Sequence, residues 1–164
     1  MNILFVCSGN ISRSFLAETL LKNEIEQIKT ERISVSSAGL YAYPGSPPDH
    51  KMIEYLTKMG ITAKNHQARQ ITKQDVDWAQ LILVMEKEHK TVLKELWPGI
   101  GDKVKRLGRF VSKDLKADDI IDPFGRSPYH YRLAQSQITL AIKNLVKSIK
   151  PNLNHNAKDK NNSR

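Results

Sequence analysis

The 164-residue sequence contains one cysteine, Cys7. A lone thiol excludes an intramolecular disulfide and any zinc or iron–sulfur site built from several cysteines. No apolar run approaches the roughly 18 residues that span a bilayer, so no membrane insertion is expected. The opening MNILFVCSGN has no basic residues ahead of its apolar run and does not read as a signal peptide. Aromatic residues are only 7% of the chain, and no RNA- or DNA-binding motif accompanies them. The histidines His50, His66, His89, His130 and His155 show no metal-ligand spacing, so neither metal nor cofactor is implied. Acidic residues are outnumbered, 17 against 26 basic, for a net charge of +9. The excess is scattered, with Lys158, Lys160 and Arg164 close to the end. Nucleic acid is therefore not the expected partner; the surface suits phosphate esters or acidic phosphopeptides. The absence of disulfides fits a reducing compartment, and the expectation is a cytoplasmic protein.

What is present is an alternation of strands and helices within a length that suits one domain. Ile3–Val6 is a continuous apolar run, expected as a central strand covered on both faces. Behind Gly9 and Asn10, the residues Phe15, Leu16, Leu20, Leu21, Ile25 and Ile28 recur at helical spacing, with Glu18 expected near the helix start. Arg32–Ser36 reads as a second strand. Asp49–Met59 reads as a helix closed by Gly60, and Lys64–Gln67 as a short strand. Leu81–Met85 is the strongest internal strand, followed by a helix His89–Leu96 and a weaker strand Lys103–Leu107. Gly108–Ile121 is expected as loop. Ser127-Pro128 opens a long helix whose stripe is Ala134, Ile138, Ala141, Leu145 and Ile149, with Pro151 as its stop. Residues 1–150 are expected to form the domain, and 151–164 a disordered polar tail. The expected fold is a three-layer α/β/α sandwich with a mainly parallel four-stranded sheet. In such folds ligands bind at the carboxyl ends of the strands, where Cys7 lies.

The segment Cys7-Ser8-Gly9-Asn10-Ile11-Ser12-Arg13-Ser14 joins the first strand to the first helix. A loop of this kind turns backbone N–H groups inward, and the helix start adds its positive end, so the site stabilises an anion. Gly9 and Asn10 are residue types that tolerate left-handed backbone. Arg13 brings a planar fork for phosphate-like oxygens, and Ser14 a hydroxyl within reach of the sulfur. A nucleophile in an oxyanion cradle points to attack on phosphorus. A lone cysteine at a strand end is also an ordinary buried apolar residue; the complete strand–loop–helix context favours the chemical role.

At this point the chain resembles the low-molecular-weight protein tyrosine phosphatases. CSGNISRS is similar to their Cys-x-Gly-Asn-x-Cys-Arg-Ser pattern, departing at Ser12. Ser37-Ala38-Gly39 resembles a common segment after strand two, and Asp122-Pro123-Phe124-Gly125 their Asp-Pro-aromatic loop. The resemblance covers about residues 1–150 and implies sheet order 2-1-3-4. It implies Cys7 as nucleophile, Arg13 as phosphate clamp, Asn10 as loop organiser, Ser14 as thiolate partner and Asp122 as general acid, then base. Family members often carry a cysteine where Ser12 stands, so a protective disulfide with Cys7 is not available here. Where the family commonly has proline, Phe15 is expected to pack in the first helical turn.

Ile11 at the loop rim resembles the tyrosine-directed form of the family, because the related arginine phosphatases typically place a threonine there. Phe124, Tyr41 and Tyr43 are candidates to wall a slot for a phosphotyrosine ring. Tyr129, Tyr131, His66 and His130 are further rim candidates, with helix packing or hydrogen bonding as the competing assignment. The expected partner is a tyrosine-phosphorylated protein or peptide, with inorganic phosphate as product and the enzyme a monomer capable of weak self-association. Arginine-phosphate hydrolysis is the alternative within the family. A catalytically silent phosphopeptide-binding module is the alternative outside enzymes. Arsenate reductases of this fold relay electrons through additional cysteines, which one cysteine argues against. A phosphocysteine carrier of sugar transport would not need Arg13 or Asp122.

Overall fold

The computed structural model describes residues 1–63, 65–111 and 118–158, the stretch 152–158 by backbone alone. Four parallel strands run β1 (Asn2–Cys7), β2 (Ser34–Gly39), β3 (Leu81–Val84) and β4 (Val104–Arg106), in sheet order β2-β1-β3-β4. Among the described residues the α-helices are α1 (Arg13–Gln27), α2 (His50–Lys58), α3 (Lys73–Trp78), α4 (Lys87–Leu96) and α5 (Pro128–Lys158). Short 3-10 helices occupy Pro98–Lys103 and Leu107–Phe110.

The apolar strands serve two cores because successive side chains leave a strand on opposite faces. Ile3, Phe5 and Cys7 of β1, with Leu83 of β3, pack against α1, α2 and α5 through Leu16, Leu20, Met52, Leu56, Ile138 and Leu145. Leu4 and Val6, with Ile82 and Val84, face Val76 of α3, Leu93 of α4 and Ile100. That double burial is why β1 and β3 read as unbroken apolar runs. Phe15 is buried in the first turn of α1 and lies against His66, ring centroids 4.7 Å apart.

Several expectations are corrected. The stretch around Lys64–Gln67 is not a strand in its described residues; the sheet gains there only a single bridge between Gly39 and Gln70. Helix α3 is an element that the apolar pattern does not mark, because only Val76 among its residues is buried. A Thr72–Asp75 capping box starts it. Glu18 lies in the second turn of α1, beyond the helix start, and accepts the hydroxyl of Ser37 at 2.5 Å. Helix α5 passes through Pro151 instead of stopping there. Proline's own φ is helical, so the chain can continue with the loss of one backbone hydrogen bond. Part of the expected loop, 112–117, and the last tail residues, 159–164, lie outside the described residues.

Candidate active site

The loop 8–12 is shaped by what lies beside it. Cys7 pairs with Gly39 across β1 and β2, and beyond the strand ends Leu40 N–H donates to Cys7 O (2.9 Å) and Tyr41 N–H to Ser8 O (2.8 Å). A side chain at residue 39 would lie 2.7 Å from Ser8 O and 3.0 Å from Asn10 N, so glycine is required for this approach. On the far side Asp49 N–H donates to Ile11 O (2.8 Å).

Asn10 takes left-handed backbone (φ 56°) and is wholly buried. Its amide donates to Ser14 Oγ (3.0 Å) and Ser37 Oγ (2.8 Å), and its Oδ1 accepts the N–H of Arg69 (3.0 Å). His66 Nε2 meets its carbonyl at 2.7 Å. The result around the sulfur is compact. Asn10 N–H points at Cys7 Sγ (3.3 Å), and Ser14 Oγ lies 3.0 Å from it.

Arg13 is 2% exposed, the most deeply set cation of the site. Its Nη1 donates to the Ile120 carbonyl (3.0 Å) and to the Glu86 carboxylate; its Nη2 lies 3.1 Å from Asp122 Oδ2. A buried guanidinium needs such partners, since an unpaired buried charge is strongly destabilising. Asp122 is brought in by its own segment. Ile120 N–H continues onto Met85 O (2.8 Å) beyond β3, and Asp119 Oδ1 accepts Lys87 N–H at the start of α4 (2.9 Å). Asp118 is buried and pairs with Arg106 (3.1 Å). Asp122 then makes a tight turn, its Oδ1 accepting Phe124 N–H (3.3 Å).

These parts enclose a cavity of about 210 Å³ lined by Cys7, Ser8, Gly9, Ile11, Ser12, Arg13, Tyr41, Asp122 and Phe124. The expected thiol, arginine and aspartate thus share one cavity, and Ile11, Tyr41 and Phe124 stand at it. Tyr43 does not line it and is 82% exposed; the turn that follows it is held by Gly45 N–H to Ala68 O (2.8 Å). Tyr131 is buried and donates to Asp49 Oδ2 (2.7 Å), so it belongs to packing; burial, reinforced by that bond, raises its pKa. Tyr129 is exposed and is not among the lining residues. His130 meets Ser127 Oγ (2.9 Å) at the start of α5. Sequence reading missed Glu86 and His89, which follow β3 and reach the loop from α4. The available signal was a strand end followed by polar residues three apart, on the sheet edge where Cys7 lies.

A parallel sheet with a thiol, an arginine and a carboxylate gathered around an anion cradle after β1 defines a class, the cysteine-based phosphatases. A sequence profile of the family described as low molecular weight phosphotyrosine protein phosphatase matches residues 2–155. A protein-arginine-phosphatase of Geobacillus stearothermophilus is 36% identical over 147 residues, covering 90% of this chain and 95% of that protein. A probable low molecular weight protein-tyrosine-phosphatase EpsP of Ralstonia nicotianae is 37% identical over 122 residues, covering 74% and 77%. The solved structure of the YwlE arginine phosphatase from Geobacillus stearothermophilus superposes with a TM-score of 0.82 at 34% identity, covering 92% of this chain and 94% of that one. The chain belongs to the low molecular weight phosphotyrosine protein phosphatase family.

Proposed function

We propose that this protein hydrolyses phosphotyrosine in proteins or peptides through a phosphocysteine on Cys7, releasing inorganic phosphate. Cys7 Sγ attacks phosphorus as the bond to the phenolic oxygen breaks, and Asp122 gives that oxygen a proton. Asp122 then takes a proton from the water that attacks phosphorus, the S–P bond breaks, and the thiolate returns. Arg13 and the inward N–H groups of residues 8–14 carry the equatorial oxygens. Ser14 supports the sulfur, and Asn10 holds the loop in shape. The observation that carries this reading is the single cavity shared by Cys7, Arg13 and Asp122. The phosphotyrosine assignment rests on its apolar and aromatic wall of Ile11, Tyr41 and Phe124, against which a phenyl ring would pack.

Every residue of the cavity and of both cores precedes 150, which supports residues 1–150 as the catalytic domain. A lone thiol that must stay reduced suits a reducing compartment such as the cytoplasm. A second reading, phosphoarginine as substrate, is favoured by the arginine phosphatase that is 36% identical over most of the chain.

The test is turnover of phosphotyrosine and phosphoarginine substrates by wild type, Cys7→Ser and Asp122→Ala. Cys7→Ser is expected to be inactive, and Asp122→Ala slower by about 10²–10⁴ in kcat. Full activity in Cys7→Ser would sink the mechanism. Preference for phosphoarginine would replace the substrate and leave the chemistry standing. Phosphopeptide binding without turnover at any pH would make the chain a binding module.

A further inference from the structure

The first turn of α4 touches both ends of the cysteine loop. Glu86, at the helix start, takes Nη1 of Arg13, the first residue of α1, where the loop 8–12 ends. His89, three residues on and so on the same helix face, places Nε2 3.0 Å from the Oγ of Ser8, the first residue after the nucleophile. His89 is 5% exposed, and its Nδ1 is buried with no hydrogen-bond partner among the described residues.

That asymmetry assigns the proton of the neutral ring. A proton on Nδ1 would point at no acceptor, whereas Nε2 has Ser8 Oγ at 3.0 Å and a carboxylate oxygen of Glu86 at 3.7 Å. Both oxygens favour a hydrogen on Nε2. With Nε2–H as donor, Ser8 Oγ is the acceptor, and the hydroxyl's own hydrogen is not committed to the ring. Ser8 lines the cavity with Cys7 and Arg13. A hydroxyl whose lone pair is already engaged turns its hydrogen toward the other available acceptor, here an oxygen of the phosphoryl group.

We propose that His89 is a positioning residue that makes the Ser8 hydroxyl a one-way donor to the bound phosphoryl group, adding a side-chain hydrogen bond to those of the loop backbone. The proposal rests on the phosphatase reading of this cavity and assigns a role within it to two residues outside the Cys7–Arg13–Asp122 set. A neutral ring suits it: burial, followed by the nearby Arg13 charge, lowers the His89 pKa.

The experiment measures inhibition by inorganic phosphate together with kcat and KM on a phosphotyrosine peptide. The variants are Ser8→Ala, His89→Leu, the double variant and His89→Gln. A hydrogen bond to a charged acceptor should be visible as a weakening of phosphate inhibition by about 10-fold or more in Ser8→Ala. His89→Leu, which leaves the hydroxyl in place but frees its orientation, should lose part of that; the double variant should lose no more than Ser8→Ala, because His89 acts only through Ser8, and wild-type inhibition in His89→Leu overturns the proposal. His89→Gln, which keeps an N–H donor, should recover most of the loss. Additive effects, or phosphate inhibition within about twofold of wild type in Ser8→Ala, overturn the proposal. If His89→Leu does not fold, Ser8→Ala and His89→Gln decide alone. Failure here with turnover intact leaves the phosphatase reading in place, whereas activity in Cys7→Ser strikes that reading itself.

Discussion

Asn10 fixes the cradle by combining a left-handed backbone with a side chain that reaches Ser14, Ser37 and the Arg69 backbone. Replacing it separates the two contributions. Asn10→Ala loses the side-chain bonds, leaves buried partners unsatisfied and keeps the unfavourable φ, and is expected to destabilise by about 3 kcal/mol. Asn10→Gly removes the backbone strain but not the lost bonds, so it should melt higher than Asn10→Ala while remaining comparably slow. Thermal melts paired with kcat/KM measure the split; equal melting temperatures would assign the whole effect to the side chain. At this scale the sequence was informative where chemistry is local. Cys7, Arg13 and Ser14 flank one short loop, and Asp122 carries its own proline signature. Glu86 and His89 were not found because their roles depend on β3 lying beside β1, a pairing that no local pattern states.

Among the elements, β2 acts on the site through what Gly39 lacks. A Cβ there would meet Ser8 O at 2.7 Å, Ala42 Cβ at 2.9 Å and Asn10 N at 3.0 Å. Backbone atoms cannot swing aside as a long side chain can. Gly39→Ala should therefore push the loop away from β2, destabilising by about 1–3 kcal/mol and weakening inorganic phosphate inhibition. A variant with wild-type melting and wild-type phosphate inhibition would show that the loop does not rest on this contact. Elements with dense apolar signals are legible: β1, α1, β3 and α5 together carry most of the core. Elements held by polar capping are not. Helix α3 buries one side chain and owes its start to Thr72 and Asp75, and α5 continues past a proline that sequence alone marks as an end.

For the molecule as a whole, two groups, His89 and Asp75, give stability a dependence on the acid side of neutrality with separate windows. Burial, with the Arg13 charge next, lowers the pKa of His89 from 6.5. As pH falls below 6.5 the unfolded chain binds a proton that the folded ring does not, so stability declines from there downward. Asp75 behaves oppositely in origin: burial raises its pKa, but hydrogen bonds from Arg69 and Thr72 outweigh that and leave it below 3.8. Its stabilisation is present above 3.8 and is lost as pH falls through the lowered folded value. Melting temperatures are therefore expected to fall in a first step on the acid side of pH 6.5, and His89→Gln should flatten that step without touching the one at lower pH. A first step that persists unchanged in His89→Gln would assign it to another group.

Cys7 shares a face of β1 with Ile3 and Phe5, and β1 is hydrogen-bonded to a neighbour on each side. The sulfur of the proposed nucleophile therefore belongs to the last residue of an inner strand, and that residue is itself part of the core. Partial loosening of an edge or a terminus leaves it in place, and displacing it requires the sheet to come apart. The position of the sulfur thus reports on the integrity of β1 and its two neighbours. A wild-type preparation that keeps its cooperative melt yet turns over slowly is therefore expected to have changed in the cradle or at the thiol, which thiol titration of Cys7 checks, and not in the sheet beneath it.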